Sequence, residues 1–157
     1  MSSGVTFEIY THPSIQIAKA NIPTSLLKDL ISESKSLSSH SHKKDYRDNL
    51  VGNFSNGEQV EIKNTSSRTW TVDTPSFRAL GEIQKSLGRE YIQKYCNTVG
   101  IKNNMRNVEV CDMWLNIQRA GDFNPLHNHN ANTVTGLSSF VWLTFPDSVM
   151  DKVGLNN

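Results

Sequence analysis

The chain has 157 residues, of which 36% are hydrophobic and 20% are charged, and its net charge is +1. This length fits one domain with its own hydrophobic core, and the near-neutral charge excludes the strong positive field that attracts nucleic acid or anionic membranes. The chain has two cysteines without CxxC spacing and no signal-peptide pattern. It also has no apolar run near the roughly 20 residues of a membrane span, and together these features predict a reduced cytoplasmic protein.

The first third of the chain predicts a strand pair and then a helix. Residues 5–10 and 15–20 alternate apolar and polar side chains, as two short strands do. After Pro23, apolar residues recur at helical spacing from Leu26 to Ile31. The composition turns polar at 32–49, which predicts an exposed connection.

The middle of the chain predicts a second helix. Asp73 or Thr74 is suited to the N-cap, and Pro75 to the first turn. An apolar stripe follows; Gly81 and Gly88 weaken the helix pattern, which leaves a break or two separate helices as the alternative.

The last third has the pattern of β-strands. Residues 108–117 alternate apolar and polar side chains, with Trp114 expected in the core and Asn116 on the same side of the strand. Residues 137–146 are β-branched and aromatic, which predicts a buried strand with Trp142 in the interior. Helices before strands indicate an α+β domain with helices packed on a mostly antiparallel sheet.

Residues 122–130 read DFNPLHNHN and place His127 and His129 two positions apart. In extended backbone both side chains lie on one side, so their ring nitrogens can converge on one ion. Imidazole suits iron, zinc, copper and nickel, and a third ligand would complete a facial set. The alternative is a polar turn with two hydrogen-bonded histidines, and spacing alone does not decide between them.

The other His and Cys residues are expected to be structural or solvated. His40 and His42 form a second His-x-His, but the neighbouring lysines oppose a cation, which favours a solvated loop. Cys96 and Cys111 are expected to be small buried residues. The sequence shows no Ser-His-Asp order, phosphate-binding loop or Gly-rich dinucleotide motif, so hydrolase and nucleotide-binding functions have no support.

The segment MWLNIQRAGDFNPLHNHN, followed by GLSSFVWLTFP, resembles the iron- and 2-oxoglutarate-dependent oxygenases, most closely those encoded by phages of marine cyanobacteria. Leu50-Val-Gly52 and the helix after Pro23 are also similar to family elements. The resemblance implies a double-stranded β-helix (jelly-roll or cupin-like) core with N-terminal helices, spanning 1–157 as one domain. For a phage-encoded chain, the host cytoplasm is the expected location.

Carried over by position, the resemblance makes His127 the first Fe(II) ligand and His129 the second, where most members have Asp or Glu. From its position on the strand before the motif, Asn116 is expected to contact the substrate or the cosubstrate 2-oxoglutarate. The expected reaction is hydroxylation of a substrate that the sequence does not identify.

Two family features are absent after His129: a distal His as third ligand, and an Arg or Lys that pairs with the far carboxylate of 2-oxoglutarate. The remaining residues contain no His or Arg, and Lys152 is their single cation. We therefore expect a C-terminally truncated domain with an incomplete jelly roll, completed by a homo-oligomer or another chain. The alternatives are a non-catalytic jelly-roll protein that binds a partner, for instance a phage component, and a cupin-like zinc or nickel binder.

Overall fold

The computed structural model describes residues 7–11, 16–39, 57–64, 67–102, 107–123 and 137–146. These residues form an α+β arrangement of two helices and two antiparallel two-stranded sheets. In chain order the elements are β1 (Phe7–Thr11), β2 (Gln16–Ala20), α1 (Thr24–Ser39), β3 (Glu58–Lys63), α2 (Pro75–Val99) and β4 (Met113–Ile117). The predicted α+β class, the N-terminal strand pair and both helices are confirmed.

The core lies between the helices and the sheet of β3 and β4. These strands pair from Glu58 opposite Ile117 to Lys63 opposite Met113, with an irregularity near the Lys63 end. Alternation along β3 turns Val60 and Ile62 inward. The buried apolar cluster consists of Leu30, Val60, Ile62, Phe77, Leu80 and Met113.

Helix α2 begins as predicted and continues without a break. Thr74 is the N-cap, and its hydroxyl accepts a hydrogen bond from the Phe77 amide at 3.4 Å. A Cβ at Gly81 would lie 3.1 Å from the Trp70 ring, and one at Gly88 3.0 Å from a Val108 methyl. The two glycines therefore admit close neighbours to the helix surface, which explains their presence inside it.

A carboxylate of α1 lies at the N-terminus of α2. Glu33 Oε2 accepts hydrogen bonds from Thr74 Oγ1, at 2.5 Å, and from Ser76 Oγ. Negative charge is favourable at this end of a helix because the unpaired backbone amides make it partly positive. Next to it, the Ser34 hydroxyl is buried and has no hydrogen-bond partner among the described residues.

We expect Glu33→Ala to lower the free energy of unfolding by about 1.5–3 kcal/mol, since hydrogen bonds to a charged group are lost and two hydroxyl donors lose their acceptor. Ser34→Ala is the matched control: it removes an unsatisfied buried hydroxyl and should leave stability unchanged or raise it. Urea denaturation of both variants measures the difference. Equal losses would contradict a specific role for Glu33.

Two expectations about element boundaries are wrong. Helix α1 continues to Ser39, so residues 32–39 are not a loop; Ser34 is buried and Leu37 packs against the core, which extends the inward face of the helix. Residues 108–112 precede the strand rather than belong to it.

Expectations about buried side chains near the C-terminus are also wrong. Trp114 is 40% exposed, because Met113 and Leu115 take the core side of β4 and alternation turns Trp114 away. Residues 137–146 are neither helix nor strand; Val141 and Leu143 pack against the core while Trp142 is 60% exposed.

The cysteines are less buried than expected. Cys111 is exposed, and Cys96 is only half-buried on α2. Neither helix in the described ranges is long and apolar enough to cross a membrane.

Candidate functional site

A closed turn leads from β4 toward the DFNPLHNHN segment. The Arg119 amide donates to Asp122 Oδ2 at 2.7 Å, and the Asp122 amide donates to the Arg119 carbonyl at 3.0 Å. Gly121 within the turn has φ +90°, a conformation that glycine adopts without strain. The turn thus fixes the direction in which the chain enters the motif. His127 and His129 themselves lie outside the described residues.

Gly57, just before β3, lies against this turn. A Cβ at Gly57 would be 2.3 Å from the Ile117 carbonyl oxygen and 2.5 Å from Asp122 Oδ2. Neither distance is compatible with a side chain, and the carbonyl belongs to the backbone of β4. The absence of a side chain at Gly57 therefore allows β3 and the turn to meet.

We expect Gly57→Ala to lower the free energy of unfolding by about 1–3 kcal/mol through overpacking. Gly100→Ala is the control, because no atom lies within 4 Å of its Cβ position and only its φ of +71° opposes a side chain. That change should cost about 1–2 kcal/mol, the strain of a side chain in the left-handed conformation. Amide chemical shifts separate the two: only Gly57→Ala should displace the signals of Arg119 and Asp122. Unchanged Arg119 and Asp122 signals in Gly57→Ala would contradict the contact between Gly57 and the turn.

Asn116 lies on β4 directly opposite Gln59 of β3. Gln59 Nε2 donates to Asn116 Oδ1 at 2.9 Å. Trp114 and Asn116 are both exposed, on the sheet face opposite the core, so the expectation that they share a side is confirmed. With its oxygen engaged by Gln59, the Asn116 amide keeps its NH₂ group for donation to a ligand.

In the described part of the chain, no three His, Cys, Asp or Glu side chains come together as a metal site. No family model, curated protein or solved structure matches the chain. The functional assignment thus rests on the chain's own residues, chiefly those of 113–146.

The structure also forms an open cleft of about 530 Å³ beside the first half of α2. Its walls come from the end of β3, the turn at 67–70, the outer side of α2 and residues 109–110. The cleft could not be predicted from the sequence, because its residues come from separate segments without a common motif. An arginine two residues before a tryptophan, in a turn between two elements, is the only local signal of it.

The three carboxylates of the cleft each have a cationic partner. Arg78 Nε and Nη2 donate to the two oxygens of Asp73 at 2.6 and 2.8 Å, which lowers the pKa of Asp73 and raises that of Arg78. Lys85 Nζ lies 2.8 Å from Glu82 and 3.2 Å from Glu109, and the hydrogen bond to Glu82 is the main cause of its raised pKa.

Proposed function

We propose that the chain is a member of the iron- and 2-oxoglutarate-dependent dioxygenases, with His127 and His129 as iron ligands and a jelly-roll core. The observation that carries the proposal is the Phe-Asn-Pro-x-His-x-His motif, placed directly after a Trp-x-Asn strand and before a Ser-, Phe-, Val- and Trp-rich segment. Imidazoles two residues apart in extended backbone form a suitable pair of ligands for Fe(II).

The described residues give this motif a rigid approach. Pairing of β3 with β4, the closed turn from Arg119 to Asp122 and the contact at Gly57 hold the chain up to Asp122, five residues before His127. Preorganised supporting structure is what a metal site needs to keep its ligands in place.

Each residue has a defined part in this proposal. His127 and His129 hold the iron through neutral imidazole nitrogens, and Asn116, oriented by Gln59, donates its NH₂ group to a cosubstrate oxygen. Bound together, iron and 2-oxoglutarate would supply the oxidative chemistry with O2 as the oxidant: one oxygen atom would enter succinate as the cosubstrate loses CO2, and the other would hydroxylate a C–H bond of the substrate. The proposal also requires a third ligand and a cation for the far carboxylate of the cosubstrate.

An anaerobic Fe(II) titration with and without 2-oxoglutarate tests the proposal. We expect a metal-to-ligand charge-transfer band only when both are present, because the band needs the cosubstrate chelated to the metal. Zinc or nickel affinity without any effect of 2-oxoglutarate would favour the cupin-like alternative. No band and no iron binding would overturn the enzyme assignment for this chain.

A non-catalytic jelly-roll protein that binds a partner is the second candidate. Phe140 is 79% exposed and Trp142 60% exposed, and their rings meet edge to face with centroids 5.6 Å apart. Exposed aromatic pairs are frequent at protein interfaces. Loss of partner binding in Phe140→Ser, together with no iron binding by the unaltered chain, would favour this candidate.

A further inference from the structure

The cleft beside α2 holds two cations that form no ion pair with a described carboxylate, although Lys63 is near enough to Glu109 to help lower its pKa. Arg78 and Lys85 pair with Asp73, Glu82 and Glu109, whereas Arg68 has no partner among the described residues and Lys63 Nζ donates to the Val110 carbonyl. We propose that this cleft binds a small phosphate monoester, with Arg68 and Lys63 contacting the phosphate.

Arg68 is held in a conformation that side chains rarely adopt. Its φ is +54°, the only positive φ of a non-glycine residue in the described part of the chain. This left-handed conformation costs about 1–2 kcal/mol and persists only where the surroundings impose it. Strained residues of this kind concentrate at ligand sites, so the conformation of Arg68 indicates a function rather than a stabilising role.

A network of polar side chains imposes the conformation. Asn64 Oδ1 accepts from the Ser67 amide at 3.0 Å, the Asn64 amide donates to the Thr69 carbonyl at 3.0 Å, and Ser67 Oγ lies 2.6 Å from Thr69 Oγ1. Asn64 also donates to Glu61 at 2.6 Å. The turn is thus preorganised around Arg68, which reduces the entropy that ligand binding would cost.

Trp70 provides an apolar surface next to these cations. Lys63 Nζ lies 5.6 Å and the Arg78 guanidinium carbon 4.9 Å from its ring centroid, within the range of cation–π attraction. Val110 lies beside it in the cleft wall. A ligand with a charged group and a small apolar part fits this combination.

Phosphate matches the site better than a carboxylate does. A phosphate monoester carries about −1.5 to −2 charge at pH 7 and offers three acceptor oxygens, so it can engage a guanidinium and an ammonium together. A monocarboxylate has a single charge. The volume of about 530 Å³ is also in the range of small-molecule sites.

This site shares no residue with the proposed iron site. Lys63 pairs with the first residue of β4, Met113, whereas the turn toward His127 follows its last residue, Ile117. Four residues of strand separate the two ends by about 13 Å. The phosphate proposal therefore stands or falls independently of the oxygenase proposal.

Amide NMR titrations with inorganic phosphate and with phenyl phosphate, at constant ionic strength, test the proposal. We expect saturable shifts at Arg68, Thr69 and Trp70, including the Trp70 indole, and tighter binding of phenyl phosphate because its ring adds an apolar contact. Sodium acetate at the same ionic strength should produce no saturable shift.

Arg68→Asn should weaken phosphate binding at least about tenfold, because a charged donor is lost. Asn tolerates the left-handed conformation, so thermal stability should be unchanged or higher, and Arg68→Lys should retain part of the affinity. Arg89→Asn removes the same charge from α2 outside the cleft and should leave affinity within twofold. No saturable shift with phosphate, equal shifts with acetate, or equal weakening by Arg68→Asn and Arg89→Asn would each overturn the proposal.

Discussion

Substitution of His127 by Ala is expected to abolish the charge-transfer band of the Fe(II)–2-oxoglutarate complex. The motif supplies two imidazoles, and a single remaining histidine cannot hold iron in a defined geometry. Loss of an outer-shell partner already reduces metal affinity by about 10–100-fold, so loss of a direct ligand should reduce it by at least about 100-fold. The anaerobic titration described above measures the affinity, with and without 2-oxoglutarate.

The chain contains a matched control for this substitution. His42 belongs to the second His-x-His, in SSHSHKK, where two lysines follow directly and oppose a cation. His42→Ala removes the same side chain from the same spacing and should leave the band intact. A band of full strength in His127→Ala would remove His127 from the ligand set, and equal loss in both variants would point to general destabilisation.

Local signals in the sequence were sufficient for the helices. Thr74 and Pro75 satisfy the requirements of a helix start within a few residues, and the structure shows the cap at that position. Gly81 and Gly88 weakened the prediction of one continuous helix. Their presence has a long-range cause, because Trp70 and Val108 approach the helix where a side chain would collide. Close approach between distant segments has no local pattern.

Side-chain exposure was predicted least well. An aromatic residue in a strand pattern is usually buried, but alternation allows only every second residue of β4 to face the core, and Met113 and Leu115 hold those places. Similarly, nothing local indicates that Lys63, Trp70 and Glu109 meet in one cleft, because the pairing of β3 with β4 brings them together. The histidine motif is the opposite case. It is evident in the sequence, whereas the described residues include only the strand and turn that precede it.

Phe77→Ala is expected to lower the free energy of unfolding by about 3–5 kcal/mol. Phe77 is only 3% exposed, in the first turns of α2, and belongs to the buried cluster that includes Leu30 of α1 and Ile62 of β3. Its removal takes away the transfer free energy of the ring and leaves a cavity between a helix and the sheet. Because native domains have about 5–15 kcal/mol in total, this variant should lose a large share of its stability.

Phe140→Ala makes the same chemical change at a side chain that is 79% exposed, and its effect should stay within about 0.5 kcal/mol. Guanidinium chloride denaturation of the two variants gives the comparison. For each variant, the dependence of the unfolding free energy on denaturant concentration is measured rather than assumed equal. Similar losses would mean that the segment 137–146 is buried in solution as its composition suggests, which would overturn the exposed placement of Phe140. A large loss for Phe77 alone would locate the stabilising core between α1, α2 and β3, and leave the aromatic face of 137–146 available for a partner.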